Sequence, residues 1–368
     1  MFRQYQLRDF KLRLVVFVYA ITIIGILVIG SAKSEYQSQQ VAGMVLGSIA
    51  MLVFALTDYH MMMNLYWLVY VANLVFLLSI YSPLGKEVNG ARRWVNLGFM
   101  QFQPSELTKL LLILFFARFF TKYAERLNTW KVLLASGVLL LIPLGMVKEQ
   151  PDLSTTITIA FVFCVVIFTA GLSYRIIGAV AAVLIPSAVI FINLIMQEGQ
   201  QILDDYQLKR IMAWLKPAEY ADDAYQQQNS IIAIGSGQLY GKGLYNNDIS
   251  SVKNGNFIVE PQTDFIFAVA GEELGFIGCA AIIILLALIV MECLWIGKNA
   301  RDREGQIICC GFGGLIAFQS LVNICVATGL MPNTGIPLPF VSYGLTSLVM
   351  LYMGTGIVLN IGLQPKKY

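Results

Sequence analysis

The chain has 368 residues, 57% of them hydrophobic and only 13% charged, with a mean hydropathy of +0.69; a soluble domain carries about 25% charged residues, so this composition excludes an ordinary soluble globular protein. The formal net charge of +3 is too small to argue for a nucleic-acid partner. All six cysteines (Cys164, Cys279, Cys293, Cys309, Cys310, Cys325) fall inside apolar runs without CxxC spacing or a neighbouring histidine, which excludes a disulfide framework and a zinc site.

Apolar runs long enough to cross a hydrocarbon core of about 30 Å recur along the chain. No barrel pattern is present, so the spanning elements are helices, whose backbone groups bond within their own segment. In chain order, ten spans are predicted near 13–32, 40–57, 62–82, 104–121, 131–147, 153–171, 174–196, 274–296, 306–328 and 340–362. The first lacks a small-residue cleavage pattern and is read as retained. The expected fold class is an all-α polytopic membrane protein, a single integral membrane domain over residues 1–368.

An even number of spans puts both termini on one side. Arg3, Arg8, Lys11 and Arg13, then Arg118, Lys122, Arg126 and Lys131, then Lys298, Arg301 and Arg303, and finally Lys366 and Lys367 all fall on that side, which the positive-inside rule makes cytoplasmic. The opposite side carries a loop near 83–103 and a longer one at 197–263. The long loop contains aromatics, the acid pairs Asp204-Asp205 and Asp222-Asp223, and a glycine run, which predicts a folded cap. From Asp264 to Trp295 the apolar stretch is too long for one span. A break is expected at Gly271 or Gly275, with Asp264 to Ala270 as a short half-helix entering from outside.

Ionisable residues at membrane depth are costly and face a cavity or one another. Here they collect at the outer ends of spans: Glu106 and Lys109 three residues apart on one helix face, Asp152 after Lys148, Glu149 and Pro151, Asp264, and the run Arg92-Arg93-Trp94. Acids beside bases at a bilayer surface suit a reaction on an anionic lipid headgroup. A glycosyl transfer needs a carboxylate to accept a proton from the attacking hydroxyl, and cations to stabilise a departing pyrophosphate. Asp264 is the candidate base; Arg92, Arg93, Lys109, Lys148 and Arg210 are candidate phosphate partners; Trp94 is placed to cover a sugar face. A divalent cation, Mg2+ or Mn2+, is a candidate cofactor, with its ligands unassigned.

Blander readings exist for each residue. Asp264, Asp152 and Ser154 occupy positions suited to helix caps, the Glu106–Lys109 pair could serve only as packing glue, and Trp94 fits an interfacial anchor. His60 lies in a short turn and is given no catalytic role. Glu272 and Glu273 would suit the proton relay of a transporter, although no inverted repeat is visible.

Several stretches, in order from the first span to the last, carry a resemblance that no single motif would. They are Asn89-Gly-Ala-Arg-Arg-Trp94, Gln103-Pro-Ser-Glu-Leu-Thr-Lys109, Gln150-Pro-Asp-Leu-Ser154, Tyr206-Gln-Leu-Lys-Arg210, Ile232-Ala-Ile-Gly-Ser-Gly237 with Gly241-Lys-Gly243, Thr263-Asp-Phe-Ile-Phe267 with Gly271-Glu-Glu-Leu-Gly275, and Gly329-Leu-Met-Pro-Asn-Thr-Gly335 with Pro337-Leu-Pro-Phe-Val-Ser-Tyr-Gly344. Together they resemble the SEDS family of bacterial shape, elongation, division and sporulation proteins, and the short tails and the Tyr206–Arg210 stretch look more like its RodA-type, elongation branch, with a division or sporulation paralogue as the alternative.

The resemblance implies a ten-span peptidoglycan glycosyltransferase of the bacterial plasma membrane that polymerises lipid II and works with a class B penicillin-binding transpeptidase and the elongation machinery. It implies that Asp264 is the catalytic carboxylate, that Glu106, Lys109 and Asp152 belong to the polar cavity, and that Trp94 stands at a position tied to activity. The partners so implied are lipid II, the undecaprenyl pyrophosphate-linked glycan and membrane lipids, with no nucleic acid. One departure is Gly344-Leu-Thr-Ser347, where the family often has Gly-Gly-Ser-Ser after Ser-Tyr. The rival expectations are a lipid II flippase and a non-catalytic scaffold for the transpeptidase.

Overall fold

The computed structural model describes residues 10–88, 91–96, 98, 101–195, 205–246, 251, 255 and 257–364. Arg3, Arg8, Asn89, Gly90, Asp204, Lys366, Lys367 and parts of the 197–263 loop therefore lie outside the described residues. A helix stands at each of the ten predicted spans: α1 (Leu12–Ala32), α2 (Ser34–Leu56), α4 (Tyr66–Leu78), α5 (Pro104–Lys122), α6 (Trp130–Glu149), α7 (Leu153–Thr169), α8 (Tyr174–Ile195), α11 (Ile266–Lys298), α12 (Arg303–Ala327) and α13 (Leu345–Gly362). Among the described residues, six of them, α1, α2, α6, α11, α12 and α13, are both long and apolar enough to cross a membrane. The short α3 (Tyr59–Asn64) precedes α4, and α9 (Asp205–Leu215) and α10 (Ala221–Ser236) are the described helices of the predicted cap.

Burial sorts the bundle into a centre and a periphery. In α12 and α13, 67% and 78% of the best apolar window is buried, against 28% in α2 and α6, so the first two are surrounded by protein and the others turn a broad face outward. In the centre with them stands α5, from Ser105 and Glu106 to Phe119 and Phe120. Pro104 opens α5 at a position where its missing N–H costs nothing. The exposed Val180, Val183 and Ile190 put α8 at the edge.

The predicted break in α11 falls at Gly275, whose φ of 64° and ψ of −163° lie outside the helical range and suit a residue without a Cβ. The segment after α10 docks against the break. Phe276 and Ile277 donate their N–H groups to the carbonyls of Gln238 and Leu239 (2.8 and 3.2 Å), and Lys242 and Gly243 donate theirs to Glu272 and Glu273 (2.9 and 3.0 Å). The backbone groups freed by the kink are thus bonded within the protein, the condition under which non-helical chain is tolerated at membrane depth.

The first outer loop departs from an all-helical reading. It forms a small antiparallel sheet in the order β1 (Gly85–Val88), β2 (Ala91–Asn96), β3 (Gln101–Phe102), with Lys86 opposite Trp94 and Val95 opposite Phe102. At the far end of the bundle, His60 bridges Asp58 (2.8 Å) and Asp302 (2.7 Å), and Asp302 also caps α12 by accepting from Gly305 N–H. That end is held together by polar contacts well separated from the Asp264 end.

Candidate active site

Asp264 precedes α11, yet it does not cap it: the N-cap residue is Phe265, with no side-chain cap hydrogen bond. Instead, three successive carbonyls of this turn are held from elsewhere. Gln262 O accepts from Tyr343 N–H (2.9 Å), Thr263 O from Ser342 Oγ (2.7 Å), and Asp264 O from Asn323 Nδ2 on α12 (2.8 Å). The backbone is fixed, and the carboxylate is left for the site.

The α12–α13 loop supplies the other wall. Arg210, on α9, donates from Nη1 to Asn333 O (3.3 Å), and Ser154, in the first turn of α7, donates to Thr334 O. A Cβ added at Gly335 would lie 3.4 Å from Asp264 Oδ2, 3.7 Å from Arg210 Nη1 and 4.0 Å from Ser154 Oγ, so residues from three separate segments converge on that glycine. Gly335 also has φ +76°, a conformation costing an ordinary L-residue about 1–2 kcal/mol. Gly335→Ala is expected to lower turnover about tenfold to a hundredfold by displacing the carboxylate or the guanidinium. Rate and melting temperature measured together check this; an unchanged rate contradicts it.

The start of α7 joins the start of α5 at the same end. Asp152 caps α7, accepting from Thr155 N–H (3.0 Å) and Thr155 Oγ1 (2.8 Å), and Gln103 Nε2 reaches its second oxygen at 3.3 Å. The cap reading of Asp152 therefore holds, and its charge still acts on the site. Glu106 and Lys109 form a buried ion pair of 2.7 Å on α5, with Glu106 Oε2 buried and without a hydrogen-bond partner among the described residues.

Burial pushes the Asp264 carboxyl up from the ordinary carboxylate range to about 6; Arg210 pulls it down, Glu260 and Asp152 push it up, and Arg93 pulls it down. A carboxylate in this range is mostly ionised at neutral pH yet basic enough to accept a proton. Because only the ionised form can act as a base, the rate should rise with pH, reach half its plateau near about 6 and fall about tenfold per unit further down. A pH–rate profile checks this; a flat profile between pH 5 and 7 contradicts it.

Of the residues singled out in the sequence, Asp264, Arg210, Arg93 and Asp152 interact electrostatically around one centre. The pair Glu106–Lys109 lies buried on α5, which also joins Asp152 through Gln103. Arg92, Lys148 and Trp94 stand differently. Alternation along β2 separates Arg92 from Arg93, and Arg92 is exposed, donating to Ser82 O at 3.1 Å. Lys148 is exposed in the last turn of α6, because Val147 and Gln150 occupy its inward face, and it forms no ion pair with a described residue. Trp94 is half-buried opposite Lys86 in the hairpin. Sequence reasoning passed over Asn323 and Glu260 altogether, took Ser154 only for a helix cap, and quoted Gly335 without giving it a role.

No group of three or more His, Cys, Asp or Glu side chains able to hold a metal ion occurs among the described residues. The oxygens of Asp152 are already engaged by Thr155 and Gln103. A protein-only cage for a divalent cation does not fit this donor set.

The family model of FtsW, RodA and SpoVE, described as a cell cycle protein, matches residues 7–367. The chain belongs to that family. Peptidoglycan glycosyltransferase MrdB of Escherichia coli (strain K12) is 34% identical over 94% of this chain and 92% of the relative. A Trichlorobacter lovleyi protein named "Probable peptidoglycan glycosyltransferase FtsW" is 32% identical over 98% of this chain and 94% of the relative. Among solved structures, a chain of a peptidoglycan synthase complex, described as coordinating polymerization and crosslinking, superposes with a TM-score of 0.76 at 29% identity, covering 96% of this chain and 97% of that one. The Thermus thermophilus rod shape determining protein RodA matches with a TM-score of 0.67 at 27% identity, covering 98% of both chains. The FtsW/RodA/SpoVE fold thus extends over nearly the whole chain, as the ordered series of motifs implies, and makes it a multi-pass membrane protein.

Proposed function

We propose that this chain is a peptidoglycan glycosyltransferase that polymerises lipid II into glycan strands at the outer face of the bacterial plasma membrane, with both termini in the cytoplasm. The observation that carries the reading is the convergence of the Asp264 carboxylate and the Arg210 guanidinium on Gly335 at the end of an apolar bundle, within electrostatic reach of Arg93. Membership of a family whose relatives are named peptidoglycan glycosyltransferases supplies the reaction class.

In this mechanism Asp264 takes the proton of the 4-hydroxyl on the acceptor's N-acetylglucosamine. That oxygen attacks the anomeric carbon of the donor's N-acetylmuramic acid and forms the new glycosidic bond. The bond from the anomeric carbon to the prenyl pyrophosphate breaks, and its electron pair leaves with the pyrophosphate, whose charge Arg210 and Arg93 offset. One displacement inverts the anomeric centre, so a single carboxylate suffices and no covalent sugar intermediate is needed. A divalent cation would have to take most of its ligands from the substrate's own pyrophosphate, in the manner of Mg2+; no step above depends on one.

The partner in this reading is a class B penicillin-binding transpeptidase that crosslinks the product, and the elongation machinery is the setting. The description of the related synthase chain favours that assembly. The test is reconstitution of the purified chain in vesicles with labelled lipid II, with and without its transpeptidase. Polymeric glycan supports the proposal, whereas headgroup translocation without polymer favours the flippase. Against the flippase stands the fate of the buried acids: Glu272 pairs with Lys242 at 2.8 Å and Glu273 accepts from Ser31 at 2.7 Å, so both are tied to the packing around the Gly275 kink.

A further inference from the structure

Asn323 lies on α12 in the apolar stretch Leu321-Val-Asn-Ile-Cys325, where a buried amide must find its partners within the protein. It is 1% exposed, and its Nδ2 uses both hydrogens: one goes to Asp264 O and the other to Ile336 O, each at 2.8 Å. Those carbonyls belong to different loops. The first turns into α11; the second follows Gly335, the point on which Asp264, Arg210 and Ser154 converge. Of the three groups holding the carbonyls of residues 262–264, Ser342 and Tyr343 come from the α12–α13 loop itself, whereas Asn323 comes from a rigid helix and grips both loops at once.

The geometry points to Asn323 as a positioning residue that fixes the base Asp264 relative to the Asn333–Gly335 turn and its Arg210 contact. This rests on the reading of Asp264 as the base. One amide thereby sets two relations that the chemistry needs: the reach of the carboxylate toward the acceptor hydroxyl, and its partial seclusion from water between the two loops. Without the amide, the Asp264 turn keeps its tethers at Gln262 and Thr263 but loses the one at Asp264 itself, so the carboxylate gains both freedom and hydration.

The test compares Asn323→Ala, which removes both donors, Asn323→Ser, which keeps one, and Asp264→Asn, all reconstituted in vesicles with lipid II. Melting temperature, KM, kcat and the pH–rate profile are recorded for each. For Asn323→Ala, kcat is expected to fall about tenfold to a hundredfold with KM within about twofold, the scale of loss for a misplacement of roughly 1 Å. The acid limb of its profile should move below the wild-type midpoint of about 6, toward the ordinary carboxylate range, because burial is the main cause of the elevation. Asn323→Ser should fall between Ala and wild type in both respects, and it carries the comparison if the alanine variant does not fold. A merely structural role would lower the amount of folded enzyme without moving the midpoint, and that result overturns the proposal, as does wild-type kcat in Asn323→Ala. If Asp264→Asn remains active, the base reading falls, and this inference with it. If Asp264→Asn is dead while both Asn323 variants match wild type, the positioning role alone is wrong.

Discussion

Lys109→Met is expected to destabilise the protein by about 3–5 kcal/mol, the cost of stripping one partner from a buried ion pair. Lys109 and Glu106 are 1% and 5% exposed in their side chains, so water cannot take over from the missing ammonium. Glu106 Oε2 already has no hydrogen-bond partner among the described residues, and the substitution would orphan the other oxygen as well. Glu106→Gln should be damaging for the converse reason, leaving a buried ammonium. The double variant Glu106→Gln with Lys109→Met should recover much of the loss, since replacing both members of a buried pair is often close to neutral. Melting temperatures of the three variants in detergent decide this; single variants that melt with wild type contradict it. The double variant also separates two roles. If it is folded and active, the pair is packing glue; if folded and inactive, the pair belongs to the cavity chemistry.

What the sequence made legible followed from contrast. Apolar runs interrupted by charge marked the helices, because a span must satisfy its backbone internally and leaves a long uniform signal. The same contrast exposed Glu106, Lys109, Asp152 and Asp264, since an acid in an apolar context is conspicuous. Charge alone did not reveal which way a side chain turns. Arg92 and Arg93 are neighbours in sequence, but the pleat of β2 separates them, and the sheet itself was invisible because strands of four, six and two residues are too short to show an alternation. Lys148 was grouped with the site by proximity in sequence, whereas the helical phase set by Val147 and Gln150 turns it outward.

The neutral members of the site were hidden for a different reason. Asn323 is one amide within an apolar helix and carries no charge to stand out, although a lone polar residue in a span is itself a signal of a buried partner. Gly335 has no side chain at all; its importance comes from the carboxylate, guanidinium and hydroxyl that crowd around it, which only tertiary structure brings together. Charge placement made Asp264 a candidate base with a helix cap as the alternative, and the family resemblance tipped the reading toward the base. The uncapped start of α11 and the convergence at Gly335 now give that assignment a geometric footing.

Asp264→Asn carries the largest expected effect on rate. The amide matches the carboxylate in size and keeps the backbone carbonyl that Asn323 holds, but it cannot accept the proton of an attacking hydroxyl at any working pH. General-base contributions of about 10²–10⁴-fold set the scale, so polymer should fall to or below the limit of detection. Folding should survive, because no hydrogen bond to the carboxylate caps α11 and replacing a half-buried carboxylate by an amide relieves rather than creates a desolvation cost. The most direct measurement is therefore the initial rate of lipid II polymerisation by wild type and Asp264→Asn, reconstituted side by side at matched folded concentration and equal melting temperature. A loss of at least about a hundredfold is predicted; a variant that polymerises at the wild-type rate would show that the proton of the acceptor hydroxyl leaves by another route.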